Sequence, residues 1–490
     1  MGRLAPLGLG LLGIIASGCD DAASRRDPQA SPTAVTSAEA RPESPARARP
    51  EPESPARARP APETRPSPLV PVSAWSDEWM LEQADRYLYD LAFRREMLER
   101  SLTNHDNQYS RARLSAYARD DQGWDLLPEW VPRTQPITAA VATRLAAGET
   151  PALDPSAAPL WDGTRPSTMA QWVELGRKVF FEYPLRPEVF AEHALAHPAI
   201  ATEVGLGPGT DERWPGLVLF EDIGHEPRVG ITCALCHTTV EAGAVVEGRA
   251  RRELDYGRLR LAYHRDSGAP LPPVLAERMA SWGPGRADIT EDDDQDPVAI
   301  PDLWGVKQHS ALTQAGTIRH LHPAVLAIRQ ETQITHANRE RSRPPRELAW
   351  ALAMYVYSLQ PPPREAAPSG PQVERGAELF ARGCERCHDD AVHGGDPVPA
   401  RLVGTDPTLA FGLARGTGRY RPAPLLRVAE AAPYLHHGQL ASLEELLSTE
   451  RLAASYDRGV HGPGPIEGHL FGTELPPEDR GALLAYLRTL

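Results

Sequence analysis

Lysine is nearly missing from this chain: it occurs only at Lys178 and Lys307, and arginine supplies the rest of the positive charge. With a net charge of -14, nothing points to nucleic-acid binding, and no nucleic-acid partner is expected. Long apolar runs are also lacking. The uncharged apolar run near the start, Leu4 to Ala16, is too short to span a bilayer as a stable helix. Cysteine is scarce, with five residues in all, and no methionine follows Met354. Strand-like alternation is rare everywhere, which argues against an all-β fold. What is present, 490 residues with 41% hydrophobic side chains, is enough for two or three domains with substantial cores.

Arg3 followed by the short apolar run reads as a signal peptide over residues 1–18. The run ends in Ala16-Ser17-Gly18-Cys19, a small-small-Cys site of the lipobox kind, so Cys19 is the expected lipidated first residue. A plain secretory signal with an incidental cysteine is the alternative. The anchored reading places the chain on the periplasmic side of a bacterial membrane, inner or outer, held through an N-terminal lipid.

Residues 19–72 are rich in Pro, Ala, Arg and Glu, and Pro42–Pro50 recurs letter for letter at Pro52–Pro60. Such a stretch cannot bury apolar surface. It is expected to be an extended tether reaching at most about 150 Å at roughly 3 Å per residue. Order is expected from Ser73. Ser76 can cap a helix with Leu81, Ala84, Leu88 and Leu91 on one face. Thr168 and Gln171 form a capping-box pattern ahead of Trp172, Leu175 and Val179. A third helix is expected from Pro345 to Leu359, a fourth from Val373 to Ala381, and a last one after Pro476-Pro477 with Leu483, Leu484 and Leu487. The fold class is therefore mainly α, helices joined by long Gly/Pro-rich loops. The triple proline Pro361–Pro363 marks the preferred domain boundary: residues 73–360 as one domain with an extra helical segment at 73–160, 361–372 as linker, and 373–490 as the second domain.

The chemistry lies in the four remaining cysteines. They fall into Cys233-Ala-Leu-Cys236-His237 and Cys384-Glu-Arg-Cys387-His388, two complete C-x-x-C-H motifs. In such a motif each sulfur adds to one vinyl group of a porphyrin, the two intervening residues match the separation of those groups, and the histidine reaches the iron. A Cys₄ zinc site and a disulfide pair are the competing readings. Neither explains a histidine directly after both pairs. Two covalently bound haem c groups are therefore expected, with His237 and His388 as proximal ligands. Since no methionine follows the second motif, a His/Met haem built wholly from the C-terminal domain is excluded. The donors left there are His393, His436, His437, His461, His469 and Tyr456.

The two motifs, together with Ala432-Pro-Tyr-Leu-His-His-Gly438 and Ser442-Leu-Glu-Glu-Leu446, resemble the bacterial di-haem cytochrome c peroxidase superfamily. That group includes the methylamine-utilisation di-haem enzyme and the rubber oxygenases. The resemblance covers roughly residues 165–490. Gly468-His-Leu-Phe-Gly-Thr473 looks like the rubber-oxygenase side of the group, which implies His469 as the distal ligand of the C-terminal haem. It also implies two cytochrome c-like haem domains and a tryptophan between the haems, for which Trp304 and Trp282 are candidates. Packing against a porphyrin face is the competing role for either ring. The catalytic Glu/Gln pattern of the peroxidases is not found. Glu331 is a candidate, and the acidic run Glu291–Asp294 reads as a solvated loop or a calcium-like surface site.

The implied function is an exported oxidoreductase in which electrons pass from the C-terminal haem to an N-terminal haem that reduces hydrogen peroxide. A rubber-oxygenase-like enzyme acting with dioxygen is one alternative. A tethered electron carrier without catalysis is another, in which His309, His320 or His322 would cap the first iron. The expected electron donor is a small redox protein or a quinol-linked one.

Overall fold

Some helices begin at side-chain caps and others at a proline. The structure, a computed structural model, describes residues 69–117, 124–290, 292, 294–364, 368–460 and 462–490. The signal segment, the tether and Cys19 lie outside the described residues, as do His461, Glu291 and Asp293. Ser76 accepts a hydrogen bond from the Trp79 amide at 3.2 Å and opens the helix Asp77–Tyr89. Leu91 does not continue this helix. Asp90 accepts from the Phe93 amide at 2.9 Å and starts a separate helix, Leu91–Ser101, which resets the helical phase. The buried face of the first helix is accordingly Met80, Ala84, Tyr87 and Leu88, with Leu81 only half-buried.

Thr168 and Gln171 make the full capping box at the start of the helix Met169–Glu182. Trp172 and Val179 enter the core there, while Leu175 is half-buried. The helix Arg346–Ser358, entered through Pro345, crosses it. The crossing is so close at Gly176 that a Cβ would sit 1.9 Å from the Ala351 carbonyl oxygen. The C-terminal part repeats the device. Its helices Pro371–Gly383 and Pro477–Leu487 cross at Gly376, where a Cβ would lie 2.1 Å from the Ala482 carbonyl oxygen. In both pairs the obstacle is backbone, which cannot swing aside. Gly176→Ala and Gly376→Ala should each cost about 1–3 kcal/mol or more. A urea midpoint unchanged by both substitutions would contradict crossings this tight.

The sheet was harder to foresee. Four antiparallel strands, β1 (Thr134–Thr138), β2 (Arg186–Pro187), β3 (Arg213–Glu221) and β4 (Pro227–Ile231), lie in the order β1-β3-β4-β2. Residues Pro215 through Phe220 of β3 are all buried, so both faces are covered and no alternation shows in the sequence. Helix remains the dominant element, and the fold is mainly α.

Buried apolar side chains gather in one large cluster within residues 75–359, a smaller one within 380–487, and a third that joins Val298 and Ala315 to Ala400, Leu409, Ala410 and Tyr420. The segment before β1 touches both regions. Tyr87 and Tyr117 donate to Glu331, each at 2.8 Å. Further along, the Gln108 amide donates to the Leu413 carbonyl at 3.1 Å and Asn104 Nδ2 to the Gly416 carbonyl at 2.6 Å. The extra segment thus ties the Pro323–Ala337 helix to the loop around 413–416.

Candidate functional site

Each C-x-x-C-H motif folds into one tight turn, which places positions i, i+3 and i+4 on the same side. In the first turn Ala234 and Leu235 go into the core, while Cys233, Cys236 and His237 stay half-buried and line a cavity of about 230 Å³. The turn rests directly on β3. Gly216, at φ 86°, takes a backbone conformation and a closeness that a side chain would block, since its Cβ would fall 2.1 Å from the Leu235 amide nitrogen. In the second turn Cys384, Cys387 and His388 line a cavity of about 250 Å³. None of the four cysteines is disulfide-linked. Among the described residues no cluster of three or more metal-binding side chains occurs, so the two cysteine pairs do not meet in a Cys₄ site.

The histidines are oriented alike. His237 Nδ1 lies 3.0 Å from the Pro301 carbonyl and His388 Nδ1 lies 2.7 Å from the His393 carbonyl. A carbonyl only accepts, so Nδ1 carries the proton in both and Nε2 is the nitrogen with the lone pair. Such a bond is the usual outer partner of an iron-bound imidazole. Burial pushes the Cys384 thiol up to about 11, which holds it as the protonated thiol.

The two cavities share a wall. Ala299, Ile300, Pro301, Asp302, Gln314 and Arg421 line both. Asp302 is fixed in this wall by Arg252 at 2.9 Å and by the Ala250 amide at 2.8 Å. Trp304, two residues further on, lines the second cavity and donates from Nε1 to the Glu247 carbonyl at 3.0 Å. Trp282 lines neither cavity. It stacks behind Tyr256, a residue of the first cavity, at 6.3 Å between ring centroids.

Of the C-terminal donors, His436 and His469 line the second cavity, whereas His393, His437 and Tyr456 do not. His436 stacks on Tyr420 at 4.0 Å. His469 belongs to a loop built to hold it. Gly468, at φ 83°, lies where a Cβ would be 2.3 Å from the Thr405 amide nitrogen, and the His469 amide donates to the Val403 carbonyl at 2.7 Å. The fully buried Arg451 guanidinium donates to the Gly468 and His469 carbonyls at 2.7 and 3.0 Å. Burial, with added repulsion from His388 and Arg451, lowers His469 to about 4, so it presents a neutral imidazole at neutral pH. Its Nδ1 is buried without a partner.

Glu331 lies away from both cavities. It accepts from Tyr87 and Tyr117 and lies 3.3 Å from Arg346, entirely buried. Its helix instead turns Leu326, Arg329, Gln330, Gln333, His336 and Ala337 toward the first cavity. The signal was legible, because these positions fall one and two helical turns apart and place polar side chains on a single stripe of a buried helix. Of His309, His320 and His322, only His309 lines the first cavity.

No protein-family model matches the chain. Methylamine utilization protein MauG of Methylorubrum extorquens is 25% identical to it over 339 residues, spanning 62% of this chain and 82% of that protein. This similarity supports the bacterial di-haem cytochrome c peroxidase superfamily. Among solved structures, a MauG-like protein associated with microbial copper homeostasis is similar at 19% identity, with a TM-score of 0.29 over 39% of this chain and 75% of that one. The similarity to MauG supports a peroxidase-like redox function and c-type haem as cofactor. The donor sets fit the group. Each cavity offers two thiols and an oriented imidazole on one side, and each has a further buried histidine with a nitrogen left without a partner, His309 in one and His469 in the other.

Proposed function

We propose that the protein is an exported oxidoreductase holding one haem c in each cavity, which accepts electrons at the second and reduces hydrogen peroxide at the first. The observation that carries this is the shared wall, since one layer of residues from Ala299 to Asp302, with Gln314 and Arg421, separates the two cavities. When bound, the haems supply the one-electron steps. In the second cavity His388 and His469 are the pair suited to close an iron on both sides, which makes that site an electron relay. Trp304, next to the wall, is the aromatic suited to stand between the two groups. At the first cavity Arg329, Gln330, Gln333 and His336 offer hydrogen bonds that would hold and orient a small oxygen-rich substrate. The overall reaction takes two electrons from the donor and two protons from water, breaks the O–O bond, and releases two water molecules.

The proposed donor is a small redox protein or a quinol-linked one, and the proposed location is the periplasmic face of a bacterial membrane, with Cys19 as lipid anchor. An electron carrier without catalysis is the second reading, favoured by His309 at the first cavity. Purified holoprotein should consume peroxide at the expense of a reduced donor, after prior reduction if needed, and His237→Ala should abolish this. Absence of turnover with every reduced donor, before and after prior reduction, would leave the carrier reading in its place.

A further inference from the structure

Glu331 is wholly buried and lies away from both cavities, but a line of aromatic rings joins it to the first. His336, on the same helix, lines that cavity and packs edge-on against Trp124, with 4.5 Å between ring centroids. Trp124 in turn meets Tyr117 edge-on at 5.9 Å. The Tyr117 hydroxyl donates to Glu331 at 2.8 Å. All four side chains are buried. Fastening the extra N-terminal segment to the helix requires the hydrogen bonds alone, not an unbroken line of rings into the cavity.

Trp124 and Tyr117 differ in what they can do with a proton. Trp124 Nε1 is buried without a hydrogen-bond partner, so an oxidised indole there has no acceptor for its proton. Tyr117 faces a carboxylate. Burial and the negative charge of Glu331 hold its hydroxyl well above the usual phenol range, so it keeps its proton at rest. Removing an electron makes a phenol strongly acidic, and Glu331 then stands within hydrogen-bond reach as the base. An oxidising equivalent that reaches Trp124 is therefore drawn on to Tyr117. Tyr87 also donates to Glu331, but it stacks on Trp350, and neither of these two rings lines a haem cavity.

We propose that Tyr117 is a one-electron reservoir for the first site, with Trp124 and His336 as the electron path and Glu331 as the proton acceptor. The inference rests on the reading that peroxide is reduced in that cavity. Peroxide takes two electrons, whereas a haem relay delivers them singly. When the relay has supplied one, Tyr117 supplies the other. Its electron goes to the cavity and its hydroxyl proton to Glu331, the O–O bond breaks, and two protons from water complete two water molecules. The neutral phenoxyl left behind is restored by the next donor electron, with the proton returning from Glu331.

The test mixes holoprotein carrying one donor electron per chain with one equivalent of hydrogen peroxide and freezes it within milliseconds for electron paramagnetic resonance. An organic radical signal is expected, narrowed by ring-deuterated tyrosine and unchanged by ring-deuterated tryptophan. Tyr117→Phe leaves Tyr87 and Arg346 on Glu331 and should lose the signal, while Tyr87→Phe should keep it. Should Tyr117→Phe not fold, Tyr117→3-fluorotyrosine keeps the hydroxyl and should add a fluorine splitting. Peroxide consumed with no organic radical, with a tryptophan radical, or with a tyrosine radical that survives Tyr117→Phe or stays unsplit by fluorine would overturn the reservoir alone. Peroxide left unconsumed would overturn the peroxide reading and the reservoir with it.

Discussion

Replacing Cys384 and Cys387 by alanine is expected to remove about half of the covalently bound haem and leave the C-terminal part of the chain unfolded or degraded. The reason lies in how little core that region has apart from its cavity. Its cluster contains ten buried apolar side chains, and seven of them, Phe380, Val428, Tyr434, Leu443, Leu447, Leu483 and Leu487, face the cavity. Without an occupant these residues form a shell around a void. At about 24 cal/mol per Å³, an empty cavity of about 250 Å³ costs on the order of 6 kcal/mol. That equals the whole stability of many domains, about 5–15 kcal/mol. Covalent attachment keeps the occupant in place, so its loss is felt as folding free energy. Yield, protease resistance and haem content of the variant check this. A soluble, protease-resistant double variant would contradict it.

The second large effect is expected at Arg451. This guanidinium is wholly buried, yet among the described residues no carboxylate lies within ion-pair distance. Its donors go to backbone carbonyls instead: Leu446 at 3.1 Å, Ile466, Gly468 at 2.7 Å and His469 at 3.0 Å. Arg451→Met keeps much of the volume but strands these carbonyls. With about 1–3 kcal/mol for each buried group left unpaired, a net loss of at least about 3 kcal/mol is expected even if water enters. The loop that carries His469 would be released as well. The optical and paramagnetic signature of the second haem should therefore change while that of the first stays as it was. Arg451→Lys should rescue only in part, because an ammonium has three donors and no planar fork. A variant with altered stability but an unchanged second-haem spectrum would show that Arg451 supports the fold without positioning His469.

The chain announces its attachment turns and its helix starts because both are local. C-x-x-C-H is complete within five residues, and Ser76, Thr168 and Pro345 act on amides a few positions away. What depends on distant partners was hidden. β3 is buried on both faces, so the alternation that betrays a half-exposed strand never arises. Trp282 and Trp304 look equivalent as aromatic residues between the motifs. Only the path of the backbone separates them, with Trp304 beside the shared wall and Trp282 one ring behind the first cavity. Glu331 drew notice as an acid in the right region, yet it serves the extra segment by accepting from two tyrosines. Its neighbours Gln330 and Gln333 carry no charge, and only their stripe along a buried helix marks them. His309 differs from His320 and His322 only in its partners, since the nitrogens of those two lie 2.5 to 3.3 Å from protein groups.

The whole redox reading depends on how many porphyrins the mature polypeptide carries through thioether bonds. Pyridine haemochrome absorbance per chain, paired with the intact mass of the purified protein, measures this directly. Two haem groups per polypeptide are expected, falling to one when either pair, Cys233 with Cys236 or Cys384 with Cys387, is replaced by alanine. A mature product with no added haem mass would contradict it.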